Sequence, residues 1–425
     1  MAASPTATPG HADYLSREEV LEILGIKRQT LYSYVSRGFV RSIPQPGGHA
    51  SYYLREDIER VKAKSTARSG HGPAAASAMR WGEPVILTSI TDITEQGPRY
   101  RNRLALDLAR SRCSFEAVAE YLWAGNWTDE PVAWQSTPAP AEIPALLAAT
   151  TRLHPSVHIL QLLTQATLSL GIAEGGSERV GAGGTPVLSA RRLIRTLAGV
   201  FGFLGPRKAY VAPRSGESLA QSLARALGLP LEPVIVDALN TALVLVADHE
   251  LNPATFAARI AASGGAELHS CIGAALEVHY GIGLGCDRVE AMFAPPAQPA
   301  VVLELVRTRL QTAQKLVGFN HQLYPHGDPR TQMLVDIARE AARDRKMTRN
   351  MLLALEGMEK QFKARPSIDA GLVVLCRSLG LPDHTAGGLF ALSRSAGWVA
   401  HILEQRRAGF MIRPRAKFTG PSVGR

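Results

Sequence analysis

The sequence predicts a mainly α-helical protein, and three observations carry that prediction. Apolar residues recur at helical spacing in run after run, and the breaks between runs contain Pro, Gly or Asn. Strand signals are nearly absent apart from Val85-Ile86-Leu87-Thr88-Ser89. Aromatic residues make up only 6% of the chain while Ala, Leu and Gly are abundant, a composition that suits closely packed helices. With 425 residues, 46% hydrophobic and 20% charged, the chain has room for two or three domains and a large core.

Residues 1–12 lack any periodic pattern and read as disordered. Residues 13–64 read as a compact module. Ser16-Arg17-Glu18-Glu19 is a capping box that opens a short helix, and Gly25 ends it. A second helix follows over 27–37, stopped by Gly38. Leu31 and Val35, four apart, should face inward, while Arg28, Gln29, Thr30 and Tyr34 should project outward. Phe39 to Ile43, a turn at Gly47 and Gly48, and Ser51 to Leu54 read as a hairpin, and a third helix begins near Arg55. Helix, Gly-ended turn, helix and wing together resemble the winged helix-turn-helix of mercury-resistance-regulator and excisionase-like proteins. That resemblance implies DNA contact through Arg28, Gln29, Thr30 and Tyr34. The module is only mildly basic, and such modules also serve as protein-contact appendages.

Residues 65–80, rich in Ser, Gly and Ala, read as a flexible linker. Amphipathic helical runs then occupy 104–123, 143–170, 188–204, 217–227, 232–249, 253–263, 301–316, 331–344, 347–362, 370–379 and 388–408. A Pro-rich stretch at 132–143 and a Gly-rich one at 174–186 read as loops.

Several classes of function are disfavoured by composition. Cys113, Cys271, Cys286 and Cys376 are scattered without metal-ligand spacing, which suits reduced thiols in a cytoplasmic protein and no bound metal. The chain has neither a membrane-spanning apolar run nor the charged and apolar regions of a secretory signal. The net charge of +10 favours anionic partners, either nucleic acid or phosphorylated metabolites such as coenzyme A.

The stretch Gly318-Phe319-Asn320-His321-Gln322-Leu323-Tyr324-Pro325-His326-Gly327-Asp328-Pro329-Arg330 places a histidine and an arginine nine residues apart. With Asp369 and Arg394 downstream, it suggests a dicarboxylate pocket. The stretch resembles the GFGH-x-V-Y-x3-DPR signature of the citrate synthase family. Further resemblances to that family are Tyr100-Arg101-Asn102, Ser114-Phe115-Glu116-Ala117-Val118, Asp248-His249-Glu250-Leu251-Asn252, Pro366-Ser367-Ile368-Asp369, Phe390 to His401, and Arg413-Pro414. The resemblance covers about residues 82–421. It implies an all-helical two-lobed body, with a large domain over 81–286 and 386–425 and a small domain over 287–385.

The resemblance also implies chemistry: condensation of acetyl-CoA or a related acyl-CoA with oxaloacetate, giving citrate and CoA at the head of the tricarboxylic acid cycle. Acetyl-CoA is a co-substrate in that reaction, with no bound cofactor. Arg330, Arg394 and Arg413 would fork the carboxylates, and His249 would line the pocket. His321 would stabilise the alkoxide that develops on the ketone, and Asp369 would take the methyl proton. In the family the arginine matching Arg413 reaches into the neighbouring subunit's site, so a homodimer is implied.

The pattern breaks in one place. The family's GPLHGGA-x-E loop carries a histidine that hydrogen-bonds the enol oxygen. The matching segment here, Ala274 to Ala291, is two residues shorter, and Leu284 falls nearest that position. His279, about a helical turn upstream, is the nearest substitute. Loss of one such donor typically lowers turnover roughly 100–1000-fold. Pro325 also replaces the cation or Thr that is usual near the coenzyme phosphates, leaving Lys315 and Arg309 as candidates for that role. Two functions therefore stand side by side: an acyltransferase with reduced turnover, or a metabolite-sensing regulator that binds DNA through residues 13–64.

Overall fold

The computed structural model describes residues 13–44, 51–67, 86–135, 137–175, 186–282 and 285–414, apart from the side chains of 63–67 and 282. Residues 1–12, the turn at Gly47 and Gly48, most of 65–80, most of 174–186, and Leu284 lie outside this set.

The N-terminal segment runs β1 (Tyr14–Leu15), α1 (Arg17–Leu24), α2 (Arg28–Ser36), β2 (Ser42–Pro44), β3 (Ser51–Leu54) and α3 (Arg55–Ala67). The strands pair antiparallel in the order β1-β3-β2. Ser16 closes the expected capping box: its hydroxyl accepts from Glu19 N at 3.3 Å, and Glu19 accepts from Ser16 N at 2.7 Å. Gly25 ends α1 at φ 63°, a conformation that glycine adopts without steric cost. Leu15, Val20, Leu31, Val40, Tyr53 and Ile58 form the module's apolar core.

Arg28 and Gln29 are exposed on α2, and Thr30 is half-buried. Tyr34 departs from the expectation that it projects outward with them. It packs against the apolar core and meets the Phe39 ring edge-on at 6.2 Å. The reason is helical spacing, since three residues after the buried Leu31 lies the same face. The wholly buried Asp57 is charge-compensated: Arg41 grips both its oxygens at 2.8 Å, and Arg60 reaches Oδ1 at 2.7 Å.

The anticipated strand at 85–89 is also displaced. Residues 86–88 have no regular structure, and Leu87 is exposed. The strands are instead β4 (Thr91–Thr94), β5 (Gly97–Tyr100) and β6 (Arg103–Leu104), an antiparallel sheet. Here turn geometry outweighs β propensity. Gly97 at φ 109° closes the β4–β5 hairpin, and a Cβ there would come 2.8 Å from Leu106 Cδ1.

The remainder is helical: α4 (Ala105–Arg110), α5 (Phe115–Ala124), α6 (Glu142–Leu153), α7 (Ile159–Ala173), α8 (Pro186–Val200), α9 (Leu219–Leu227), α10 (Pro233–Val246), α11 (Pro253–Ser263), α12 (Leu268–Ile282), α13 (Gly285–Met292), α14 (Pro299–Gln311), α15 (Pro329–Glu340), α16 (Arg345–Phe362), α17 (Ile368–Ser378) and α18 (Thr385–Ala408). Two of the expected runs are each two helices. Arg112, at φ 53°, separates α4 from α5, and Pro155 prevents α6 from continuing into α7. The α12 and α13 helices were not among the expected runs. The buried positions of α12 cover most of its circumference, which weakens the 3.6-residue signal.

The chain divides into two compact units. One holds Met1–Cys113, Leu229–Leu245 and Gly283–Phe390; the other holds Ser114–Gly228, Val246–Ile282 and Ala391–Arg425. In the first, α15 lies close on α17, where a Cβ on Gly371 would sit 3.3 Å from Thr331 Cα. In the second, α12 packs between α11 and α7.

Candidate active site

Within the first unit, Asp369 sits in the opening turn of α17, after Ser367 as N-cap. Its Oδ1 accepts from the Cys286 thiol at 3.6 Å, and its Oδ2 accepts from the Ser367 hydroxyl at 3.3 Å. Among the described residues it forms no ion pair with a cation. Burial raises the Asp369 carboxyl above its ordinary value, against the two hydrogen bonds that favour its ionised form. Burial and the neighbouring carboxylate also push the Cys286 thiol up, so it remains a donor. Two glycines permit this arrangement. A Cβ on Gly285 would come 2.7 Å from Asp369 Oδ1, and one on Gly318 (φ 85°) would come 2.3 Å from Val289 Cγ2.

The His321 loop is stitched to the segment that leads into α17. Phe319 and Pro366 form an antiparallel bridge, and Ser367 N donates to Gly318 O at 2.9 Å. Asn320 N donates to Arg365 O at 2.8 Å, while Arg365 N donates to Asn320 Oδ1 at 2.9 Å. His321 and Asp369 are therefore anchored to one backbone frame.

Leu323 N donates to His321 Nδ1 at 3.2 Å, which assigns the proton of the neutral ring to Nε2. Burial, followed by the positive charge of Arg330, pushes the His321 pKa down to about 4. At neutral pH the ring is thus an uncharged Nε2–H donor.

Arg330 is buried at the start of α15, with its guanidinium over the Tyr324 ring at 5.4 Å. Asp328 takes one edge, accepting from Nε at 3.0 Å and from Nη2 at 2.7 Å. Burial alone would lower the Arg330 pKa, but the Asp328 carboxylate outweighs it and the group stays charged. Nη1 is buried and has no hydrogen-bond partner among the described residues. An end-on fork of N–H donors therefore remains for an anion.

The second unit holds another set. Arg394 is buried on α18, with Nε donating to Val246 O at 3.0 Å. Close beside it on that helix, Gly397 lets the 247–248 backbone approach: Gly397 N donates to Ala247 O at 3.0 Å, and a Cβ would come 2.1 Å from Asp248 Oδ1. Asp248 Oδ2 lies 3.2 Å from His401 Nε2, both fully buried. His249 follows Asp248 and is buried. Glu250 at φ 56° then turns the chain toward Asn252, the N-cap of α11. His279 lies on α12 with its ring 6.2 Å from that of Trp398. Arg413 is exposed.

The structure thus joins Asp369, His321 and Arg330 in one unit, and His249 and Arg394 in the other. Arg28, Gln29, Thr30 and Tyr34 lie in the N-terminal segment. Lys315 is engaged elsewhere, its Nζ donating to Glu56 at 3.0 Å. Sequence reasoning missed Cys286 and Ser367 as partners of Asp369, and Asp328 as the grip on Arg330. Asp328 stands two residues before Arg330 and Ser367 two before Asp369, a local signal that could have found both. Nothing local points to Cys286.

The family model "Citrate synthase, C-terminal domain" matches residues 78–415. "Citrate synthase 2" of Bacillus subtilis is 31% identical over 281 residues, 63% of this chain and 74% of that protein. "2-methylcitrate synthase" of Mycobacterium tuberculosis is 28% identical over 352 residues, 80% of this chain and 89% of that protein. A Thermoplasma acidophilum citrate synthase structure, solved with carboxymethyl coenzyme A and oxaloacetate, has a TM-score of 0.68 at 22% identity. It spans 82% of this chain and 97% of that one, a likeness of fold.

Proposed function

From the premise that the chain belongs to the citrate synthase family, we propose that it condenses acetyl-CoA, or a related acyl-CoA, with oxaloacetate. The products are CoA and citrate, or its methyl homologue where the acyl group is one carbon longer. The family's chemistry needs no cofactor beyond the acyl-CoA substrate.

The observation that carries this reading is Asp369, a carboxyl made more basic by burial and held by neutral donors. It takes a proton from the carbon next to the thioester. The resulting enolate attacks the ketone carbon of oxaloacetate, a carbon–carbon bond forms, and the ketone electrons become an alkoxide. His321 Nε2–H donates to that oxygen, and a neutral imidazole suits the role of donor to developing charge. Water then hydrolyses the thioester and releases the CoA thiol. Arg330, whose Nη1 has no hydrogen-bond partner among the described residues, is proposed to bind a carboxylate, and the family resemblance assigns the same role to the buried Arg394 and a pocket-lining one to His249. The exposed Arg413 serves a homodimer, completing the second subunit's site. Leu284 in place of the family's enol-binding histidine makes turnover slow. The small domain is proposed as residues 287–385 and the large one as 81–286 with 386–425.

The test is CoA release from acetyl-CoA plus oxaloacetate by the purified protein, with Asp369→Ala as control. Release above the control supports the condensation. No release, with oxaloacetate still bound, overturns it.

A second reading rests on α1, the Gly25 turn and the exposed Arg28 and Gln29 of α2. It makes residues 13–64 a winged helix-turn-helix that contacts DNA and the whole a metabolite-sensing regulator. Duplex binding that weakens steeply with salt, and weakens in Arg28→Ala, would support it. Salt-independent or absent binding would remove it.

A further inference from the structure

We infer that Arg41 is a positioning residue for His321, which makes the N-terminal segment part of the condensation machinery. This inference rests on the condensation reading given above. The contact is direct: Arg41 Nη1 donates to Asn320 O at 3.0 Å, across 279 residues of sequence. That carbonyl and the His321 N–H belong to one planar peptide unit, so holding one fixes the plane from which the His321 side chain departs.

Arg41 is well suited to the task because the rest of it cannot move. Its Nε and Nη2 clasp the fully buried Asp57 at 2.8 Å each, and its backbone N donates to Asp57 Oδ2 at 2.8 Å. Only Nη1 extends beyond the segment. A guanidinium can make both contacts at once because its donors form a rigid fork, whereas an ammonium is a point charge.

Asn320 explains why such a prop is useful. It stands at φ 53°, a left-handed conformation that costs a residue with a side chain more than it costs glycine. Its backbone N–H is taken by Arg365 O and its carbonyl by Arg41, while its side-chain oxygen accepts from Arg365 N. Two of the three contacts come from the segment leading to Asp369, and the third from the N-terminal segment.

Further contacts hold the two together nearby. Tyr14 N donates to Ala313 O at 3.2 Å, Lys315 N donates to Asp13 Oδ2 at 2.9 Å, and Lys315 Nζ donates to Glu56 at 3.0 Å. The charge on Arg41 also adds to the forces that keep the His321 ring neutral.

The decisive variant is Arg41→Lys in the full chain. A lysine retains a cation for Asp57 beside Arg60, so the segment stays folded, but it cannot reach both Asp57 and Asn320 O. The expected result is a five- to twentyfold fall in kcat with KM for oxaloacetate changed less than twofold, since Arg330 and Arg394 carry that binding. Amide hydrogen exchange should rise at least fivefold in residues 318–324 while α15 and α17 stay as protected as in the parent protein. Arg41→Met should show both effects more strongly, and Arg37→Ala, exposed on the same segment, should show neither.

Unchanged kcat and unchanged exchange at 318–324 in Arg41→Lys would overturn the inference. A rise in exchange spread evenly over the chain would also overturn it, because it would mark general destabilisation. If the parent protein releases no CoA, the condensation reading fails, and the exchange measurement alone decides whether Arg41 holds the loop.

Discussion

Replacing Gly285 by Ala separates activity from stability at a single methyl group. The new Cβ would lie 2.7 Å from Asp369 Oδ1 and 3.1 Å from its Cγ. Ordinary carbon–oxygen contact needs roughly half an ångström more, so the carboxylate must shift. It cannot rotate freely, because Oδ1 is bonded to the Cys286 thiol and Oδ2 to the Ser367 hydroxyl. Misplacing a reacting group by about an ångström costs up to about 100-fold, so kcat should fall about 10- to 100-fold, or about 1.4–2.7 kcal/mol. Alanine is meanwhile the better helix former, by up to about 1 kcal/mol within a helix, and Gly285 opens α13 without a positive φ. The melting temperature should therefore stay within a few degrees of the parent. Initial rates of CoA thiol release at saturating oxaloacetate, together with a thermal melt, make the comparison. A kcat within twofold of the parent would refute the claim that Asp369 is held tightly where it must act.

Three further predictions concern the same carboxyl and the proposed enol donor. In its proposed role as base Asp369 must be ionised, and its folded pKa is raised, so the acid limb of kcat should lie above the ordinary aspartate value of 3.8. Cys286→Ala removes a donor to the ionised form and should move that limb to higher pH, as read from a pH–rate profile. Leu284→His should raise kcat at least tenfold if the missing enol donor limits turnover. No gain would count against the missing donor as a limit on turnover.

Much of this was legible in the sequence, and the reasons are local. The capping box at Ser16, the Gly25 stop and the Pro253 start of α11 are signals within four residues of the feature they mark. The His321, Arg330 and Asp369 set was legible through motifs of a known family. The boundaries that misled are also local in origin: Arg112 breaks a run through an unusual φ, and nothing in its residue type announces that. What stayed hidden depends on tertiary pairing. Cys286 reaches Asp369 across 83 residues, and Arg41 reaches Asn320 across 279. Tyr34 is a different case, since its place beside Leu31 was open to the same spacing argument that turned Leu31 inward.

The first compact unit is assembled from three separate stretches of chain, Met1–Cys113, Leu229–Leu245 and Gly283–Phe390. During synthesis the N-terminal segment emerges long before the 313–320 stretch it binds. At about 5–20 residues per second, the interval amounts to roughly 12–50 s. Through that interval the segment's own small core and the Asp57 cluster help to hold it, and Arg41 lacks the Asn320 carbonyl. The His321 loop, once made, supplies the carbonyl that Arg41 grips, and a chain truncated before Phe390 would leave that unit without its closing piece.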